Sequence, residues 1–124
     1  MTLETLFQAL GDRTRLRLLN LMARGEVCVC FFVEVLGESQ PKISRHLAYL
    51  RRAGVVAARR EGKWIHYGIV RPQDADAARV LDAALAAAAN DRQMQKDWAA
   101  MQRVCCAQRL PEPLQHAPRP RLAS

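Results

Sequence analysis

A basic helix stops at Gly54, a basic hairpin follows it directly, and a set of short, capped helices comes before it. These three features of the 124-residue chain predict a mostly α-helical fold with one small β-hairpin, a winged helix-turn-helix. The predicted order is four helices, two strands and a final helix.

Each element has a local cause. Leu3, Leu6, Phe7 and Leu10 recur at helical spacing, and Gly11 breaks the first helix. Asp12 can cap a second helix that carries Leu16, Leu18, Leu19, Leu21 and Met22 and ends near Gly25. A short third helix spans 28–36, with Phe31, Phe32, Val35 and Leu36 as its apolar face, and Gly37 ends it. Ser39 is an N-cap for the fourth helix, where Pro41 is tolerated in the first turn. Ile43, Leu47 and Leu50 then place one stripe against the core. Two strands over 55–60 and 63–69 meet around Glu61 and Gly62, and Gly62 supplies the positive φ of a tight hairpin. From 73 to 103 the chain reads as one long helix rich in alanine, which allows close approach of a second helix. Residues 1–106 read as one winged helix-turn-helix domain, expected to serve DNA binding and dimerisation. The stretch 107–124, with Pro111, Pro113, Pro118 and Pro120, reads as a disordered tail.

Composition narrows the function. Half the residues are apolar and 25% are charged, as in globular proteins. The net charge of +7 and pI of about 9.9 favour a polyanionic partner. The longest central apolar run, Val80 to Ala89, is interrupted by Asp82 and is too short to span a bilayer. The N-terminal residues lack a basic start and a cleavage site, so the expectation is a cytoplasmic protein with reduced thiols and no membrane partner.

The fourth helix divides its surface in the way DNA reading requires. Opposite its apolar stripe it presents Gln40, Lys42, Ser44, Arg45, His46, Tyr49 and Arg52. Gln40, Ser44 and His46 can reach base edges, and Lys42 and Arg45 can reach bases or phosphates. Arg59, Arg60 and Lys63 flank the hairpin tip, within reach of phosphate or the minor groove. Trp64 and Tyr67 read as packing residues that anchor the hairpin. Arg13, Arg15 and Arg17 are suited equally to backbone contact and to a surface role.

The segments Leu10-Gly-Asp-Arg-Thr-Arg-Leu16, Gly25-Glu-Val-Cys-Val-Cys30, Ser39-Gln-Pro-Lys-Ile-Ser-Arg-His-Leu47, Leu50-Arg-Arg-Ala-Gly-Val55 and Arg60-Glu-Gly-Lys-Trp-Ile-His-Tyr67 occur in that order. Together they resemble the ArsR/SmtB family of bacterial metal-responsive repressors. The resemblance implies a homodimer built on the first and last helices, binding double-stranded operator DNA of approximate two-fold symmetry. It also implies an inducer that lowers DNA affinity, with no cofactor required for DNA binding itself.

Four cysteines lie in two close pairs, Cys28/Cys30 and Cys105/Cys106. The first pair stands where the family's arsenic-responsive branch carries Cys-x-Cys. Thiolates favour soft ions, and the resemblance to that branch implies As(III), Sb(III) or methylarsenite as the inducer. In a regular helix residues i and i+2 point roughly 200° apart, so one ion holds both sulfurs only if the helix start is distorted. Some members carry a further cysteine where this chain has Val33. The third ligand would then be an outside thiol or another cysteine, or two sulfurs suffice. Cys105 and Cys106 resemble a C-terminal vicinal pair used by some relatives, and one combined site or two separate ones both fit.

Two alternatives share the fold: a thiol-redox or persulfide-responsive repressor, and a Cd(II)- or Pb(II)-responsive one using four thiolates. Residues 73–103 contain no histidine, which argues against the His-based zinc site of other relatives. No Cys-x-x-Cys, phosphate-cradling glycine loop or Ser/His/Asp constellation points to an enzyme.

Overall fold

The computed structural model describes residues 1–106 and 110–122, with the side chain of Cys106 outside them. The elements run α1 (Leu3–Leu10), α2 (Arg13–Met22), β1 (Val27–Cys28), α3 (Val29–Leu36), α4 (Gln40–Arg52), β2 (Val56–Glu61), β3 (Trp64–Ile69), α5 (Ala75–Ala89) and α6 (Arg92–Cys106), then a 3-10 turn at Glu112–Leu114. This is the winged helix-turn-helix that the sequence predicts.

The helix starts follow capping chemistry. Side-chain oxygens of Thr2, Asp12, Ser39 and Asp74 accept the backbone N–H groups of Thr5, Arg15, Lys42 and Ala77, satisfying donors that a helix start leaves unpaired. Gly54, at φ 81°, lets the chain leave α4 and turn into the hairpin. At the hairpin tip Glu61 faces Trp64, and Gly62 takes φ 59° in the two-residue loop between them. The core is one cluster: Leu6, Leu18, Leu19, Phe31, Phe32 and the α4 stripe Ile43, Leu47 and Leu50 are all fully buried. Trp64 and Tyr67 pack partly buried against it.

The structure departs from the sequence reading at four places. A third strand, β1, pairs antiparallel with β3, with Val27 opposite Tyr67 and Cys28 opposite His66, so the sheet order is β1-β3-β2. Two residues are too few to show alternation, and β1 forms only because the finished hairpin offers an edge. The hairpin strands lie at 56–61 and 64–69, a shift of one residue at three of their four ends.

The long final helix is two helices. It breaks at Asn90 and Asp91, where the Asp91 carboxylate accepts the Met94 N–H at 3.2 Å and so starts α6. The same carboxylate takes a forked pair of hydrogen bonds from Arg13, which depresses its pKa to about 2. A cap and an ion pair outweigh the helix propensity of the flanking alanines.

Residues 110–122 fold back on the body, with Leu110, Leu114 and Ala117 buried in the core cluster, so the described part of the predicted tail is packed. The same expectation for 107–109 and 123–124 lies outside the described residues.

Candidate nucleic-acid interface and thiol site

The core stripe of α4 fixes which side chains face outward. Gln40, Ser44, Arg45 and Arg52 are exposed. Lys42 is half-buried and its Nζ lies 3.2 Å from Glu38. His46 and Tyr49 are also half-buried, and both turn toward α2. There the Arg15 guanidinium lies 4.1 Å from the Tyr49 ring centre, and its Nη1 lies 3.4 Å from His46 Nδ1. His46 also sits 3.8 Å from Asp12, and its pKa is lowered chiefly by desolvation. The face divides accordingly into an outer group that solvent or DNA can reach and an inner group tied to Arg15.

On the wing, Lys63 is exposed, 5.0 Å from the centre of the Trp64 ring. Arg60 is exposed and donates to the Gly62 carbonyl at 3.2 Å. Arg59 is exposed too, but its guanidinium is 2.9 Å from Glu26 and 3.9 Å from Glu61, so carboxylates already offset its charge.

Arg13 and Arg17, ambiguous in the sequence, are structural. Arg17 makes a forked pair with Asp97, at 2.8 and 2.9 Å, and joins α2 to α6. Arg13 does the same with Asp91 at the start of α6. The role of Arg15 between α1 and α4 is not legible in the sequence, beyond its place in Leu10-Gly-Asp-Arg-Thr-Arg-Leu16.

The first cysteine pair is preformed. Cys28 ends β1 with extended backbone (φ −68°, ψ 139°), and Cys30 lies in the first turn of α3. The switch from strand to helix brings their sulfurs to 3.1 Å of each other. The distortion that the spacing argument demands is therefore already present as a change of secondary structure. Cys28 is buried and Cys30 half-buried.

Electrostatics makes the two thiols unequal. A hydrogen bond from the Cys30 thiol holds the Cys28 pKa down to about 6, against burial, with His66 adding a smaller lowering. The same bond pushes the Cys30 pKa up, because its proton is the one shared. The pair is then a thiolate and a thiol holding one proton, a soft two-sulfur donor set. His66, opposite Cys28 in the sheet, is buried with Nε2 3.2 Å from Glu61.

Cys105 lies in the last turn of α6. Its thiol donates to the Pro120 carbonyl at 3.3 Å, and its own carbonyl accepts from Arg119 at 3.0 Å. The Cys106 side chain lies outside the described residues. Among the described residues, no three His, Cys, Asp or Glu side chains gather around a common point.

Residues 12–58 match the model of the bacterial regulatory protein, arsR family. The arsenical resistance operon repressor of Escherichia coli (strain K12) is 48% identical over 80 residues, which are 64% of this chain and 68% of that protein. The arsenic resistance transcriptional regulator ArsR1 of Pseudomonas putida is 52% identical over 68 residues, which are 54% of this chain and about half, 53%, of that protein. Among solved structures, the AntR antimony-specific transcriptional repressor superposes with a TM-score of 0.54 at 36% identity, covering 66% of this chain and 72% of that one. The chain belongs to the ArsR family of bacterial regulatory proteins, which are DNA-binding transcriptional regulators and not enzymes.

Proposed function

We propose that this protein is a homodimeric repressor of a metalloid-resistance operon. It binds its operator through α4 and the wing, and releases it when a trivalent arsenic or antimony species binds Cys28 and Cys30. The observation that carries this reading is the 3.1 Å sulfur pair at the root of α3. The relatives' names, an arsenical resistance operon repressor and an antimony-specific repressor, support the same ligand class.

On the DNA side, Gln40, Ser44 and Arg45 approach base edges while Arg52, Arg60 and Lys63 meet phosphate. On the dimer side, Leu3 and Phe7 of α1 are exposed, and an apolar groove between α1 and α5 includes Leu10, Leu16, Val80 and Ala84. A second copy covers these surfaces and places two α4 helices on successive major grooves.

The coupling is mechanical. Two sulfur–metalloid bonds replace two hydroxides on the ligand; one leaves as water with the proton that the two sulfurs share, and the other leaves as water with a proton from solvent. The proton shared by the two sulfurs is lost, and the strand-to-helix junction must follow the ligand. Cys28 is paired with the wing through His66, and Cys30 lies in α3, which packs beside α4. Strain at this junction therefore reaches both DNA-binding elements. Cys105 and Cys106 serve as a further thiol pair or supply a third sulfur.

A second reading, thiol oxidation or persulfide formation, is favoured by the low pKa of Cys28, since the thiolate is the nucleophile. The deciding experiment is operator binding by fluorescence anisotropy in a thiol reductant, titrated with As(III), Sb(III), methylarsenite, Cd(II) and Zn(II). Wild type is compared with Cys28→Ser/Cys30→Ser and Cys105→Ser/Cys106→Ser. The expected result is release by trivalent metalloids, abolished in Cys28→Ser/Cys30→Ser. Tight operator binding with no release by any of them overturns the metalloid reading in favour of thiol oxidation.

A further inference from the structure

We propose that Arg15 is a positioning residue for operator recognition, clamping α4 to the end of α1. Its guanidinium makes contacts in two directions. Nε donates to the Ala9 carbonyl at 2.8 Å and Nη2 to the Gln8 carbonyl at 2.8 Å. Both carbonyls belong to the last turn of α1, the negative end of that helix. The guanidinium carbon of the same group lies over the Tyr49 ring, 4.1 Å from its centre, in the second half of α4, and Nη1 lies 3.4 Å from His46 Nδ1.

Only a planar, forked cation can do both at once. A lysine ammonium can reach the carbonyls or the ring, but it cannot stack and donate in two fixed directions. Asp12 completes the clamp. Its carboxylate accepts the Arg15 backbone N–H at 3.0 Å and lies 3.8 Å from His46.

The clamp lies on the inner flank of α4. Tyr49 is one helical turn after Arg45, and His46 directly follows Arg45, so holding these two sets the rotation of α4 about its own axis. That rotation decides where Ser44 and Arg45 point. The other end of the clamp is α1, which carries exposed Leu3 and Phe7 beside the apolar groove. Arg15 therefore relates the base-reading face to the surface proposed to join two copies. This inference rests on the reading of α4 as the recognition helix.

The test compares Arg15→Lys, Arg15→Met and Arg45→Ala with wild type in the full-length dimer. Circular dichroism and mass in solution establish the folded state, and Arg15→Lys keeps the test available should Arg15→Met fail to fold. Affinity is measured on operator and on unrelated duplex across a salt series. Both Arg15 variants are expected to lose about tenfold on the operator with little change on unrelated duplex and an unaltered salt slope, because positioning carries specificity and not phosphate charge. Wild-type operator affinity in Arg15→Lys overturns the proposal. So does an equal loss on both duplexes in Arg15→Met with a slope lower by about one, since that marks a phosphate contact. Full operator affinity in Arg45→Ala would instead overturn the reading of α4, independently of Arg15.

Discussion

Cys28 and Cys30 hold their sulfurs 3.1 Å from each other because one ends a strand and the other begins a helix. Within one regular helix the same spacing would send them to nearly opposite sides. The strand exists because Val27 and Cys28 pair with Tyr67 and His66 of the wing. The hairpin thus builds the thiol pair.

Cys28 should titrate near pH 6 while Cys30 keeps its proton through neutral pH. Cys30→Ala removes the hydrogen-bond donor, so the Cys28 pKa should return toward the ordinary thiol value of about 8.5. Ultraviolet thiolate absorbance against pH, in a Cys105→Ser/Cys106→Ser background, reads this directly. An unchanged midpoint in Cys30→Ala would show that the bond between the two sulfurs does not set the acidity.

The wing's three basic residues should not contribute equally. Lys63→Ala and Arg60→Ala are each expected to lower the slope of log affinity against log salt by about one. Arg59→Ala should lower it by less, because Glu26 and Glu61 already neutralise that guanidinium. Equal effects from all three would mean that Arg59 leaves its carboxylates when DNA binds.

Breaking the Arg17–Asp97 pair should be costly. Asp97 is only 3% exposed and takes three hydrogen bonds, two from Arg17 and one from Gln93. Arg17→Met leaves a buried carboxylate with one donor, for a loss of about 3–5 kcal/mol in urea unfolding. Arg17→Met/Asp97→Leu should recover most of that loss. A single-variant loss below about 1 kcal/mol would place the pair among weak surface bridges.

Leu114→Ala separates a packed segment from a loose one. The side chain is fully buried, so the substitution should cost about 2–4 kcal/mol. A segment without fixed structure would show almost none. Equilibrium unfolding measures the difference, and faster tryptic cleavage between Arg121 and Leu122 in the variant reports on the same contact.

Much of the fold was legible in the sequence because its signals are local. Ser39, Asp12 and Gly54 punctuate helices through chemistry that acts over three or four residues, and Ile43, Leu47 and Leu50 mark a buried stripe by spacing alone. Gly62 marks the hairpin in the same way. The Cys-x-Cys spacing and the polar face of α4 were likewise visible as patterns.

What the tertiary structure decided depends on partners far along the chain. Asp91 breaks the final helix partly because Arg13, 78 residues earlier, pairs with it. The proline-rich end packs because Leu110, Leu114 and Ala117 find a hydrophobic surface that composition cannot reveal. Arg15, Arg17 and Arg59 look alike as basic residues, yet their partners make one a clamp, one a buried tie and one a neutralised surface charge. Local propensity and periodicity determine which segments are helix or hairpin. Whether a charge faces DNA or a carboxylate, and whether two thiols meet, is set by contacts between segments, and those exist only once the chain is packed.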